Sequence, residues 1–331
     1  MTDPASDVAA GPAPGADPPG IELRGLSKTF GPGAAALHGV DLVVPRGEIY
    51  GFIGPNGAGK TTTLRILATL TKPTGGLARI AGFDCAREPD QVRSLMGYLP
   101  DGAPAAQDFT VGEFLEFFAA AYGITGARRR EVVGDVLALV DLVEKRAKPI
   151  ATLSLGMRQR LALARVLVHD PDVLLLDEPG TGLDPRARIE VREVLRELRA
   201  LGKTILISSH ILGELNELCT GIGIIEQGRM VFSGSLEDAL ARVRGGAIEV
   251  RVGGGPGGRV TAMGLLRALD EVQDVREQPD DDLLAVELAD GASPGRVAAA
   301  LVENGLELLV LRPRLIDLED AFLGLTEGKL G

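Results

Sequence analysis

The stretch IYGFIGPNGAGKTTTLRIL, residues 49–67, restricts the fold more than any other part of the chain. An apolar, β-prone run leads into Gly54, four further residues, and then Gly59, Lys60 and Thr61, which fits the pattern G-x-x-x-x-G-K-[ST]. Beyond it, Leu64, Leu67 and Ala68 carry helical apolar spacing. A strand that turns through a glycine loop into a helix predicts an α/β fold. It also aims backbone N–H groups and a helix N-terminus at a polyphosphate. The cradle comprises Gly54, Pro55, Asn56, Gly57, Ala58, Gly59, Lys60, Thr61 and Thr62, with Gly57 and Gly59 letting the backbone approach closely. Lys60 is expected to bridge the β- and γ-phosphates, and the Thr61 hydroxyl to ligate Mg²⁺. A glycine-rich turn that binds nothing is the competing reading, and the strand, helix, lysine and threonine in their places all weigh against it.

A second stretch, VLLLDEPGTGLD at 173–184, runs an apolar strand straight into two acids. A run of this kind is a strand buried on both faces, where unpaired charge is costly, so the acids need a partner. Beside a phosphate loop, Asp177 is the expected Mg²⁺ partner, directly or through water. Glu178, one residue on, points differently and is placed to orient or deprotonate an attacking water. A pair of strand-end acids capped by a nearby helix is the structural alternative.

Composition excludes several classes. The net charge of −11 over 331 residues repels phosphate backbones and argues against a nucleic-acid binder. No apolar run is long enough to cross a bilayer, so any membrane attachment is expected through another chain. Cys85 and Cys219 stand alone and far apart, which indicates neither a disulfide framework nor a zinc site and fits a reducing cytoplasm. The Pro/Gly/Ala-rich start, residues 1–20, lacks a basic n-region and an apolar h-region; it is expected to be a disordered tail, not a secretory signal.

Between the two motifs lies ATLSLGMRQRLALARVLVHDPDVLLLDEP, and with it residues 21–240 resemble the ATP-binding-cassette ATPases. The succession of phosphate loop, LSxGx-x-QR, DE, xGLD and a strand-end histidine is far more specific than any one motif. The resemblance implies ATP as the nucleotide. It implies that Ser154 and Gly156 of one copy contact the γ-phosphate held by another copy, that Asp184 links the two sites, and that His210 is a switch residue at the γ-phosphate. LSLGM departs from the family's LSGGQ at Leu155 and Met157. Asp101 stands where the family has a glutamine, and as a carboxylate it is a further candidate Mg²⁺ ligand. Phe30, in LSKTFG, falls at the aromatic that stacks on adenine; packing into the first sheet is the equal alternative. His38 and His169 lack such context and are assigned structural roles.

Thr110 with Glu113 fits a capping box that opens a helix bearing Phe114, Phe117, Phe118 and Tyr122, in a chain only 4% aromatic. Most of these rings are expected in the core of a helical subdomain; by resemblance, the adjoining surface receives a cytoplasmic helix of a membrane permease. One copy of each motif makes head-to-tail pairing obligatory, with a second copy or a relative. Residues 247–313 follow the order β-α-β-β-α-β of a ferredoxin-like unit, followed by a helix over 315–325. Such an extension resembles that of bacterial antibiotic-efflux ATPases of the daunorubicin-resistance type.

The expected organisation is therefore a tail over 1–20, an ATPase domain over 21–244 with a mixed sheet and a helical subdomain, and an α+β ferredoxin-like domain over 245–331. The expected function is ATP hydrolysis that powers efflux of a drug-like or lipid-like molecule through a separate permease. The chain would then lie in the cytoplasm, peripheral on the inner face of the cell membrane. A ribosome or DNA remodelling factor is the alternative. Ribosome-acting relatives generally carry two cassettes in one chain and DNA-acting ones a long coiled coil, and neither is present. A nonhydrolytic scaffold would lack Glu178 or Lys60.

Overall fold

The apolar runs IYGFI, VLLLD and TILISS are strands with every residue buried in the computed structural model, which describes residues 17–31, 33–102, 108–209, 212–243, 246–278, 282–289, 291–314 and Leu318. The expected tail, apart from its last few residues, the expected helix over 315–325, apart from Leu318, and His210 lie outside the described residues. The chain divides into two compact units, Met1–Leu236 and Glu237–Gly331.

In chain order the first unit comprises β1 (Ile21–Phe30), β2 (Ala34–Val44), β3 (Ile49–Ile53), α1 (Lys60–Leu67), β4 (Gly75–Ile80), β5 (Phe83–Asp84), α2 (Pro89–Leu95) and β6 (Met96–Leu99). There follow α3 (Val111–Ala121), α4 (Gly126–Leu139), α5 (Leu155–Leu167), β7 (Val173–Asp177), α6 (Pro185–Ala200), β8 (Thr204–Ser209), α7 (Leu212–Leu218), β9 (Gly221–Glu226) and β10 (Arg229–Ser235). An antiparallel sheet runs β2-β1-β4-β5; a second runs β10-β9-β3-β8-β7-β6, parallel except for β10. Phe52, Ile21, Leu23, Leu64, Leu67 and Ile80 belong to one core cluster and are at most 1% exposed, so both sheets and α1 share one apolar interior. That burial is what fixes β3, and with it the loop that follows.

Parallel register brings the strand ends level: Ile53 pairs with Ser209, Asp177 with Ser208, and Leu99 with Leu176. The loops that leave this carboxyl edge therefore meet outside the sheet, where ligands bind in such folds. The β9–β10 hairpin turns at Gln227 and Gly228, both at positive φ (47° and 74°), as a two-residue turn matched to strand twist requires.

Thr110 and Glu113 form the expected capping box at the start of α3. The aromatic residues divide differently from the expectation. Phe114 is buried and meets Phe118 edge-on at 5.0 Å, one turn away, whereas Phe117 and Tyr122 are 57% and 47% exposed. Phe117 and Tyr122 thus lie at the margin of the inward face, Phe117 meeting Phe118 edge-on at 5.3 Å.

In the second unit, α8 (Leu236–Val243) precedes β11 (Gly246–Val252), α9 (Gly255–Leu266), β12 (Val272–Gln278), β13 (Leu283–Leu288), α10 (Pro294–Glu303) and β14 (Leu308–Pro313). The sheet order β12-β13-β11-β14, antiparallel throughout, is that of a ferredoxin-like unit. Helix α9 starts at Gly255. Pro256 in its first turn brings a preset φ and needs no donor partner there. The helix ends at Leu266, and the chain continues as i→i+3 turns at Ala268 and Leu269.

Candidate functional site

Gly54 follows β3 under a close contact: a Cβ there would lie 2.2 Å from the Ile225 carbonyl oxygen. Gly57 and Gly59 sit at φ 80° and 112°, where L side chains are strained, so the loop needs glycine for conformation as well as room. Ala58 N–H donates to the Pro55 carbonyl, Gly228 N–H to Ala58 and His38 N–H to Gly228, which ties the loop to β2 and the β9–β10 turn. The Thr63 hydroxyl closes the first turn of α1 on the Gly59 carbonyl at 3.0 Å. Thr61 is left exposed at the helix N-terminus.

Lys60 is 6% exposed and folds back over the loop, donating to the Gly54 carbonyl at 2.5 Å, with Glu178 Oε1 4.0 Å away. Burial holds its amine below the usual lysine range, while the Glu178 and Asp177 carboxylates oppose that shift. Asp177, at the end of β7, is 1% exposed. Its Oδ1 accepts from the Ser208 hydroxyl at 2.6 Å, and its Oδ2 is buried without a hydrogen-bond partner. A buried carboxylate oxygen without a partner, beside an exposed threonine hydroxyl, fits a hard divalent cation with oxygen ligands. Among the described residues no three His, Cys, Asp or Glu side chains gather into a metal site, so phosphate and water oxygens would have to complete the shell.

Glu178 takes a left-handed backbone, φ 51°, unusual for a non-glycine residue and a mark of local strain. Its Oε1 lies 4.0 Å from Lys60 Nζ. The Thr181 hydroxyl donates to Glu178 Oε2 at 3.1 Å. Asp101 is exposed just past β6, whose Leu99 pairs with Leu176. Burial pushes the neighbouring Tyr98 phenol up to about 12, with the charge on Asp177 adding to the rise, Arg65 opposing it and Asp101 adding a smaller part. Ser209 ends β8 at the same edge, and His210 comes next in the chain.

Ser154 is the N-cap of α5, its hydroxyl accepting from Met157 N–H, and Asp184 is the N-cap of α6, accepting from Ala187 N–H at 2.9 Å. The two helix starts pack tightly, since a Cβ on Gly156 would lie 2.7 Å from Ala187 Cβ. Leu155 is in the first helical turn of α5 and is 41% exposed, so the leucine at this position needs no glycine backbone. No hydrogen bond or ion pair joins Ser154, Gly156 or Asp184 to Lys60 or Asp177 among the described residues. Phe30, at the end of β1, is 49% exposed, which does not match packing into the first sheet. His169 is partly buried, stacked on Tyr122 at 3.9 Å and 4° and bonded to the Met96 carbonyl, a structural setting.

Sequence reasoning missed Ser208, Thr181 and Tyr98. Ser208 had a signal, a hydroxyl ending an apolar run, but only strand register puts it against Asp177.

A strand-to-helix glycine loop with its lysine, level with a strand-end acid whose oxygen lacks a partner, defines a P-loop nucleoside triphosphatase. Comparison with known proteins narrows this. The ABC transporter family matches residues 37–181. The daunorubicin/doxorubicin resistance ATP-binding protein DrrA of Streptomyces peucetius is 36% identical over 306 residues, 92% of each chain. The Nod factor export ATP-binding protein I of Ralstonia nicotianae is 39% identical, covering 69% of this chain and 71% of its own. A solved ATP-binding subunit of an ABC transporter superposes with a TM-score of 0.61 at 32% identity, covering 67% of this chain and 92% of its own. The chain belongs to the ATP-binding subunits of the ABC transporter family. It binds ATP and is an ATP hydrolase.

Proposed function

We propose that the chain powers export of a drug-like or lipid-like molecule through a separate membrane permease. The names of its relatives, one in drug resistance and one in Nod factor export, support this direction. The observation that carries the hydrolytic part is the buried, unpartnered Asp177 Oδ2 beside Lys60 and Glu178. Lys60 exchanges the Gly54 carbonyl for the phosphates, and the loop amides with the α1 N-terminus hold the remaining oxygens. Thr61 and Asp177, with Asp101 as a third candidate, would hold Mg²⁺, which supplies neutralisation of phosphate charge. Glu178, held 4.0 Å from Lys60, orients and deprotonates the attacking water, and His210 contacts the γ-phosphate.

Ser154 and Gly156 act on the nucleotide of a second copy or a relative, with Asp184 linking the sites. Ser154 and Asp184 now cap their own helices, and the Ser154 hydroxyl hydrogen remains available as a donor. Phe30 offers its open face to adenine. Residues 21–244 then form the nucleotide-binding domain and 245–331 an accessory domain. The exposed Phe117 and Tyr122 suit a surface that receives a permease helix. No described helix is long and apolar enough to cross a membrane; in this reading the chain attaches at the inner face of the cell membrane through the permease. The net charge of −11 disfavours the alternative of a nucleic-acid remodelling factor.

Light scattering on the Glu178→Gln chain tests the reading. ATP-dependent doubling of mass is expected. A variant that binds ATP but remains a monomer withdraws Ser154, Gly156 and Asp184 as residues acting across a homodimer.

A further inference from the structure

Phe30 is a large apolar ring left open at a strand end, and it does not stand free. The Lys28 ammonium lies 4.8 Å from the ring centroid, over its face. The same ammonium donates to the Lys72 carbonyl at 2.8 Å. Two more bonds fasten this corner: Thr29 N–H donates to the Thr74 hydroxyl at 3.0 Å, and Thr74 N–H to the Ser27 carbonyl at 2.8 Å. Residues 72–74 follow α1 closely, and the N-terminus of α1 carries the phosphate cradle. Lys28 thus ties the aromatic end of β1 to the far end of the cradle helix. It also holds a cation over one ring face, a contact that strengthens as its cation loses freedom and water.

We propose that Lys28 is a positioning residue for the nucleobase. Its ammonium occupies one face of Phe30, draws electron density toward itself, and leaves the opposite face fixed for stacking by an electron-rich purine. This rests on the reading of Phe30 as the base platform. The lysine touches the ring and not the nucleotide, so its influence is confined to the base end of the ligand.

Binding of a nonhydrolysable ATP analogue and of inorganic tripolyphosphate is measured by titration on the full chain, on Lys28→Met, on Phe30→Ala and on the double variant. Methionine retains an apolar stem and removes the charge. Lys28→Met is expected to weaken the analogue about two- to five-fold, the effect of a partly exposed cation–π contact. Tripolyphosphate, which has no base, is expected to bind all four chains alike, and the lysine effect is expected to vanish in the Phe30→Ala background. If Phe30→Ala weakens the analogue while Lys28→Met does not, the proposal falls and the platform reading stands. If Lys28→Met weakens tripolyphosphate equally, the lysine acts through the phosphate cradle and the proposal falls. If Phe30→Ala leaves the analogue unaffected, the platform reading falls and takes the proposal with it.

Discussion

Ser208→Ala removes the hydroxyl that holds the site's most buried acid and that also accepts from Glu178 N–H at 3.2 Å. Asp177 is 1% exposed, its Oδ1 accepts from Ser208 at 2.6 Å, and its Oδ2 has no partner. Removing the hydroxyl leaves a carboxylate at the end of a core strand with no side-chain hydrogen bond to either oxygen among the described residues. The backbone bond from Glu178 N–H to the Ser208 carbonyl, 3.1 Å, survives, so strand pairing is preserved. A hydrogen bond to a charged group contributes about 1.5–3 kcal/mol. In a unit spanning Met1–Leu236, at roughly 2–4 °C per kcal/mol, that lowers the melting transition by about 3–12 °C. Scanning calorimetry on the full chain, with and without Mg²⁺ and a nonhydrolysable ATP analogue, reads the effect. The gap between parent and variant is expected to narrow with the ligands, since a bound cation supplies Asp177 with a partner. An unchanged transition without ligand would refute the argument, because it would mean that Asp177 gains nothing from Ser208.

Gly54→Ala is expected to abolish ATP binding, measured by titration, while far-ultraviolet circular dichroism stays near parental; its Cβ would lie 2.2 Å from a backbone oxygen that cannot swing away, so the loop must shift. Retained affinity would show that the loop relaxes without losing its cradle. Thr181→Val is expected to lower single-turnover ATP hydrolysis several-fold while leaving analogue affinity unchanged, because the hydroxyl touches Glu178 Oε2 at 3.1 Å and no residue of the phosphate loop. Thr181→Ser should restore the rate; a serine variant as slow as the valine one would count against a hydroxyl role.

Much of this site can be seen in the sequence because its chemistry is local. A glycine loop between strand and helix needs particular residues at fixed spacing, so Gly54 to Thr62 announce themselves, as do Asp177 and Glu178 at the end of an apolar run. The capping box at Thr110 and the hairpin at Gln227 and Gly228 are equally local, each satisfied within a few residues. The alternating order of elements in the second unit also foretold its sheet. What sequence left open was whatever depends on which elements meet. Phe30 could face the sheet or the solvent until strand pairing set it at 49% exposure with Lys28 above it. Leu155 stood out only as a departure from the family's glycine, and the fold sets it in an ordinary helical turn. Ser208 and Asp177 are far apart in the chain and meet only because parallel register sets β7 level with β8. Periodicity states which residues share a face of their own element; only packing between elements decides what that face touches.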